Sequence, residues 1–151
     1  MRNPAIYFSS IITLVIFSFS VESCIKPPAY PIEPVITFDS ISATNVTQAD
    51  SVKIKIDFTD GDGDMGVKQG ETTPNFFMVD SRKGFIYNFL IPYVEPKGNV
   101  KAISGNFVYT NPGITLTPGH LIDTLHYDIY IYDRAGHKSN IVSTPDIYVT
   151  Q

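Results

Sequence analysis

The strongest constraint on the fold is the stretch Ser51–Phe58, in which polar and apolar residues strictly alternate. Successive side chains of a β-strand point to opposite faces, so Val52, Ile54, Ile56 and Phe58 would share one face. Lysines and other polar residues occupy the positions between them. This pattern predicts a half-buried antiparallel strand.

A second alternating stretch runs from Asp123 to Asp133, and no window beyond residue 35 keeps a helical period. Roughly seven strands, separated by turn residues, are expected over residues 35–151. The expected loops include Thr44–Asp50, and Gly105 is expected to interrupt its strand. The composition agrees, because 10 Phe and 9 Tyr accompany many Ile, Val and Thr, with 11 Pro and 10 Gly for turns. The chain therefore predicts a single all-β domain, an antiparallel β-sandwich.

The spacing of Asp123, Tyr127 and Ile129 narrows the kind of sandwich. Immunoglobulin-type domains place a corner-forming tyrosine two residues before a cysteine, and Ile129 stands at the cysteine position here. The chain also lacks Trp. These features favour a looser immunoglobulin-like or fibronectin-III-like sandwich held by apolar packing. The alternative is that Tyr127 is one more aromatic residue of the core.

The first residues differ in composition from the rest of the chain. Residues 1–23 combine Arg2 with a long apolar run and are typical of an export signal. Cys24, the only cysteine, follows directly, and the segment resembles a bacterial lipoprotein signal, in which the cysteine carries a diacylglycerol. An ordinary cleaved signal that leaves a free thiol is the alternative.

Residues 24–34 hold four prolines and are expected to form neither strand nor helix. An extended segment of about 3.1 Å per residue would hold the domain roughly 30 Å from a membrane. We interpret it as a tether, and a disordered leader is the alternative. The expected location is the outer membrane or the cell surface, with a periplasmic-facing anchor as the other arrangement.

The sequence "DGDGDMGVKQGE" follows the first alternating strand and is rich in carboxylates. Asp60, Asp62, Asp64 and Glu71 stand at loop positions one, three, five and twelve, the ligand spacing of an EF-hand calcium loop. Met65 occupies the sixth position, where an EF-hand requires glycine. The match is therefore to the chemistry of the loop and not to the EF-hand fold.

The phase of the two alternating strands adds a fifth candidate ligand, Asp133. Asp60 continues the inward phase of its strand, and Asp133 continues the inward phase of the later one. If these strands face each other across the core, the two carboxylates converge at one end and repel without a cation or hydrogen-bond donors. We predict bound calcium. The alternative is a solvated, metal-free turn, with Asp133 and Arg134 forming a local ion pair.

Several classes of function find no support in the sequence. The net charge of −4 and the lack of a basic stripe argue against a nucleic-acid partner. No nucleophile elbow, zinc-protease motif or phosphate loop occurs, so we expect no enzyme.

A binding module is the main hypothesis. Tyr130 and Tyr132 lie on the outward phase of their strand, where they can stack on a glycan or bury against an envelope protein. The alternatives are that a neighbouring strand covers them and that the domain is a structural spacer in an envelope assembly.

The chain as a whole resembles immunoglobulin-like lipoproteins of Gram-negative bacteria. The residues that carry the resemblance are "DFTDGDGDMG" and the later "YDIYIYDRAGHKSN". The resemblance implies a secreted, membrane-anchored β-sandwich. It implies no catalytic activity.

Overall fold

The computed structural model describes residues 29–96 and 101–151. The lipoprotein signal, Cys24 and most of the tether lie outside this part of the chain. Within it the protein is all-β and contains no helix. The strands are β1 (Val35–Ile41), β2 (Asn45–Thr47), β3 (Val52–Asp60), β4 (Phe76–Asp80), β5 (Ile86–Phe89), β6 (Ile103–Asn111), β7 (Ile122–Leu125), β8 (Tyr127–Ile131), β9 (Val142–Ser143) and β10 (Ile147–Thr150).

The strands form three sheets, in the orders β1-β3-β6, β2-β10-β7 and β5-β4-β8-β9. Pairing is antiparallel except between β10 and β2. The β3 and β8 sheets face each other, and the ring of Phe76 on β4 meets that of Phe107 on β6 edge-on at 5.4 Å. This layering is that of a β-sandwich and confirms the all-β class expected from the sequence, but the described residues form ten strands instead of about seven, because an expected loop contains a strand and expected long strands are divided into short ones.

The register expected from the alternation is also confirmed. Ile54 and Ile56 on β3, and Ile129 and Ile131 on β8, are completely buried, and Tyr127 is 1% exposed. Each such side chain removed from water contributes about 1.5–3 kcal/mol to the hydrophobic stabilisation of the fold. The alternation of β3 and β8 thus fixes which residues face the core.

The stretch Asp123–Asp133, expected as one strand, is broken at His126. There the backbone bonds to Ser81 in both directions, since His126 N donates to Ser81 Oγ and Ser81 N donates to the carbonyl of His126. Thr144 makes the matching break between β9 and β10 by bonding to both the N–H and the carbonyl of Tyr127. One long ribbon therefore contributes to two sheets.

Two local expectations from the sequence were wrong. The supposed loop Thr44–Asp50 contains β2, because Val46 is buried and the segment pairs in parallel with β10. Gly105 does not interrupt β6, which pairs continuously with β3. A Cβ at position 105 would instead lie 3.2 Å from the ring of Phe58, so glycine leaves room for a core aromatic.

Tyr127 forms its hydroxyl hydrogen bond with a side chain of the facing sheet. Asn111 Nδ2, at the end of β6, donates to the Tyr127 hydroxyl at 2.9 Å. Burial raises the pKa of Tyr127 well above its usual range. This bond joins the two layers near the end that lies opposite Asp60 and Asp133.

Arg82 ties the same end together. Its guanidinium contacts Asp80 at 2.6 Å and Asp123 at 2.9 Å, and it donates to the carbonyl of Thr115. Both carboxylates are almost fully buried. The N–H of Thr117, together with His120 and Arg82, holds the pKa of Asp123 well below its usual range. One cation therefore compensates two buried aspartates from different strands.

Replacing Arg82 by Met is expected to lower the free energy of unfolding by about 3 kcal/mol, because it leaves two buried carboxylates without their cation. Urea denaturation of R82M against the wild type measures this. Lys83→Met, at the exposed neighbouring position, is the matched control and should change stability by no more than about 0.5 kcal/mol. Equal stability of R82M and K83M would contradict this role for Arg82.

Candidate metal centre

The acidic loop begins where β3 ends. Asp60 is the last residue of β3 and is fully buried, because it continues the inward phase of Phe58. Asp133 lies two residues beyond β8, continues the phase of Ile131 and is 6% exposed. Since β3 and β8 belong to facing sheets, the two carboxylates reach the same end of the sandwich.

Asp62 and Asp64 complete a group of four carboxylates. One oxygen from each of Asp60, Asp62, Asp64 and Asp133 lies within 4.8 Å of the others. Calcium–oxygen distances of about 2.3–2.6 Å place oxygens around one ion at separations of this order. The cluster can therefore hold a metal ion.

Hydrogen bonds from the loops fix the orientation of three of these carboxylates. Asp64 N donates to Asp60 Oδ2 and Ala135 N donates to Asp64 Oδ2, both at 2.9 Å. Asp133 accepts from His137 N at 2.8 Å, and its other oxygen lies 2.8 Å from His137 Nδ1. The loop after β3 is thereby bound to the loop after β8.

Three other oxygens of the cluster lack a partner among the described residues. Oδ1 of Asp60, of Asp62 and of Asp64 are buried and accept no hydrogen bond from this part of the chain. Buried polar atoms are nearly always paired, and an unpaired one costs about 1–3 kcal/mol or more if charged. Three unpaired carboxylate oxygens in one place constitute a ligand set for a cation.

The pKa values in the cluster also indicate negative charge that is not compensated. Burial, reinforced by the charges of Asp62, Asp64 and Asp133, raises the pKa of Asp60 to about 6. Burial and the neighbouring aspartates also raise the pKa of Asp64. The bond to Asp133 raises the pKa of His137. The charged form of the cluster is therefore disfavoured without an added positive charge.

Arg134 compensates this negative charge only in part, because its charge lowers the pKa of Asp64 but it forms no ion pair with the cluster within the described residues. Its Nη1 donates to the carbonyls of Met65 and Gly66, and its guanidinium lies 4.8 Å from the ring centroid of Tyr93. The ion pair between Asp133 and Arg134 that the metal-free alternative assumed is not formed. Instead Arg134 holds the acidic loop by donating to backbone carbonyls of that loop, a role that could not be assigned from the sequence.

Glu71, expected as a fifth ligand, is not brought to the cluster. It is exposed, and its Oε2 accepts a hydrogen bond from Lys68 N at 3.1 Å. The EF-hand count places position twelve near the ion only when the loop continues into a helix. Here the chain turns away after Gly66 toward β4, so the correspondence in sequence spacing does not extend to residue 71.

The glycines of the loop are required by the backbone that surrounds them. Gly63 and Gly66 have φ of +73° and +79°. A Cβ would collide with the carbonyl of Lys101 at Gly63 and with the carbonyl of Pro92 at Gly66. At Gly61 it would collide with the carbonyls of Tyr30 and Pro31, which places the end of the tether against this loop.

Tyr130 and Tyr132 lie on the outer face of the β4–β8 pair, as their phase predicts, and both are partly buried. Tyr130 stacks on Phe77 at 5.1 Å, and Lys138 Nζ lies 3.9 Å from the Tyr130 ring centroid. Tyr132 contacts both rings edge-on and lines a cavity beside the acidic cluster. The two tyrosines therefore occupy different environments.

No family model, curated protein or solved structure matches this chain. The resemblance to immunoglobulin-like lipoproteins therefore stays a prediction. In the described residues, no helix has both the length and the apolar character needed to span a membrane.

Gly66 and Gly70 offer a matched test of the loop packing, since both have positive φ but only Gly66 faces a neighbouring backbone. Gly70→Ala should cost about 1 kcal/mol of stability through backbone strain alone. Gly66→Ala should cost about 1–3 kcal/mol more, because the methyl group displaces Pro92. Urea denaturation of both variants checks this, and equal losses would show that the loop is not packed as described.

Proposed function

We propose that this protein is an exported lipoprotein, anchored through Cys24, whose β-sandwich is a non-catalytic binding module stabilised by one calcium ion. The observation that carries the calcium proposal is the set of buried, unpartnered oxygens on Asp60, Asp62 and Asp64, with Asp133 beside them. The lipid anchor rests on the sequence alone, through the position of the single cysteine after an apolar segment.

Calcium fits the donor set better than the other common metals. All four candidate ligands are carboxylates, which suit hard cations, and neither a thiol nor an imidazole belongs to the group. Calcium takes six to eight oxygens in flexible geometry, so backbone carbonyls or water would complete its shell. Magnesium demands near-ideal octahedral geometry and sheds its water reluctantly, which suits a protein-enclosed cluster less well.

The ion would join the two layers of the sandwich. Asp60 ends β3 and is followed in the next loop by Asp62 and Asp64, whereas Asp133 belongs to the loop after β8 in the facing sheet. A cation shared by both loops removes their repulsion only when the sheets are assembled. Because such an ion binds the folded state alone, it stabilises that state by about 2.7 kcal/mol at a free concentration one hundred times the dissociation constant.

Calcium should therefore raise the melting temperature of the wild type by roughly 5–10 °C relative to chelator. Extracellular sites have dissociation constants of about 0.1–1 mM, so the titration should extend to several tens of millimolar. Circular dichroism melts at constant ionic strength measure the shift. Magnesium at the same concentration should give a smaller one.

The matched variants for this experiment are Asp62→Asn and Asp57→Asn. Asp62 belongs to the cluster, whereas Asp57 lies nearby in the sequence, on β3, and is not part of the cluster. D62N should lose most of the calcium shift, and D57N should keep it. A wild type that melts at the same temperature with calcium and with chelator would refute the calcium proposal.

Lipid attachment at Cys24 can be tested separately by metabolic labelling. When cells are fed an alkyne analogue of palmitate, the wild type should become labelled and Cys24→Ser should not. Ser23→Ala keeps a small residue before the cysteine and should be labelled like the wild type. Undiminished labelling of the Cys24→Ser variant would show that the lipid is attached at another residue and would contradict the proposed anchor.

A further inference from the structure

A cavity of about 570 Å³ lies next to the acidic cluster, between the segment that follows the acidic loop and the end of β8. Small-molecule sites commonly measure about 300–1,000 Å³ and combine apolar walls with a few polar groups. The walls of this cavity have that character. They include Glu71, Thr73, Asn75, Phe77, Tyr132 and Arg134.

The aromatic wall is held in a fixed arrangement. Phe77 and Tyr132 meet edge-on, with centroids 5.7 Å apart and planes at 86°. Phe77 is backed by Tyr130, whose ring lies nearly parallel to it at 9°, and Lys138 Nζ lies over the Tyr130 ring. Rings held this way present apolar surface to a ligand with little loss of side-chain entropy on binding.

Asn75 adds a buried donor that lacks an acceptor. The residue is 5% exposed, and its Oδ1 accepts from Ile91 N at 2.7 Å, which fixes the orientation of the amide. Its Nδ2 is buried and has no hydrogen-bond partner among the described residues. An unpaired buried donor is costly, so Asn75 is an unusual polar residue in the wall of this cavity.

The remaining polar groups suit a neutral ligand that carries hydroxyl groups. The carboxylate of Glu71 can accept from a hydroxyl, and Thr73 can donate or accept. Asp133, one of the four clustered aspartates, lines the cavity together with Glu71, and Arg134 is the cationic residue of its wall. A ligand with its own negative charge would meet net repulsion there.

We propose that this cavity binds a neutral pyranose sugar, a monosaccharide unit or a disaccharide. A pyranose presents an apolar C–H face to an aromatic wall and hydroxyl groups at its rim, which matches Phe77 and Tyr132 beside Asn75, Thr73 and Glu71. This inference rests on the proposed role as a binding module and gives that module its ligand class. It does not require the calcium ion, although Asp133 belongs to both the cluster and the cavity wall.

Saturation-transfer NMR on the protein made from its full chain and purified in mild detergent tests the proposal. The probes are the methyl glycosides of glucose, galactose, mannose and N-acetylglucosamine, together with maltose and the anionic methyl glucuronide. At least one neutral probe should receive saturation at its ring protons. Tyr132→Ala should weaken that binding at least tenfold, whereas Tyr148→Ala, an exposed tyrosine on β10 outside the cavity, should leave it unchanged.

Glu71→Gln is the second variant, because Glu71 is exposed and its replacement leaves the core intact. It should weaken the same binding severalfold without changing the melting temperature. No signal from any neutral probe, a stronger signal from the glucuronide, or binding that survives both Y132A and E71Q would overturn the proposal.

Recording the spectra with calcium and with chelator separates this inference from the calcium proposal. A calcium-dependent melting temperature without a sugar signal overturns the sugar site alone. A sugar signal with no effect of calcium on the melting temperature supports the sugar site and refutes the calcium proposal. A sugar signal that requires calcium supports both and shows that they are coupled through the loop of Asp133.

Discussion

Four carboxylates lie together at one end of the sandwich, and their mutual repulsion opposes the packing of the two sheets there. The phase of β3 directs Asp60 inward, and the phase of β8 directs Asp133 inward, so burying the apolar faces of the two strands also buries these charges. Three buried oxygens, one each from Asp60, Asp62 and Asp64, have no hydrogen-bond donor in residues 29–96 and 101–151. A bound divalent cation would convert this repulsion into a link between the sheets.

The two ends of the sandwich handle buried negative charge differently. At one end Arg82 contacts both Asp80 and Asp123, and its charge is supplied by the chain itself. At the other end Arg134 bonds to backbone carbonyls, and within the described residues only His137 forms an ion pair with the cluster. The buried charge at the first end is therefore compensated within the folded chain, whereas under the calcium proposal the second end would depend on a cation from the solution. A domain built this way would be stable where calcium is abundant, as it is outside cells.

The parts of the structure that follow from side-chain phase could be predicted from the sequence. Strict alternation over Ser51–Phe58 fixes which residues are buried, because a shift of one residue would expose every apolar side chain. The convergence of Asp60 and Asp133 follows from the same phase. The position of Glu71 could not be obtained this way, since loop spacing does not say where the chain turns after Gly66.

Features that depend on contacts between distant segments could not be predicted from the sequence. The break at His126 arises from bonds to Ser81, and β2 exists because Val46 finds a place beside β10. The cavity is formed by the chain after the acidic loop and by the end of β8. These segments lie about sixty residues apart in the sequence, so no local pattern could have predicted that they meet. No sequence motif indicates that Asn75 lines the cavity or that Arg134 bonds to the acidic loop.

The most direct test of calcium binding by the four aspartates is a crystal structure from crystals grown in calcium, with the ion identified from its anomalous scattering. We predict one calcium ion with oxygens of Asp60, Asp62, Asp64 and Asp133 at about 2.3–2.6 Å. We also predict that the Asp62→Asn protein, crystallised under the same conditions, holds the ion at lower occupancy or not at all. A cluster filled by ordered water, or by the side chain of Arg134 or a lysine, in crystals with calcium at tens of millimolar would contradict calcium binding.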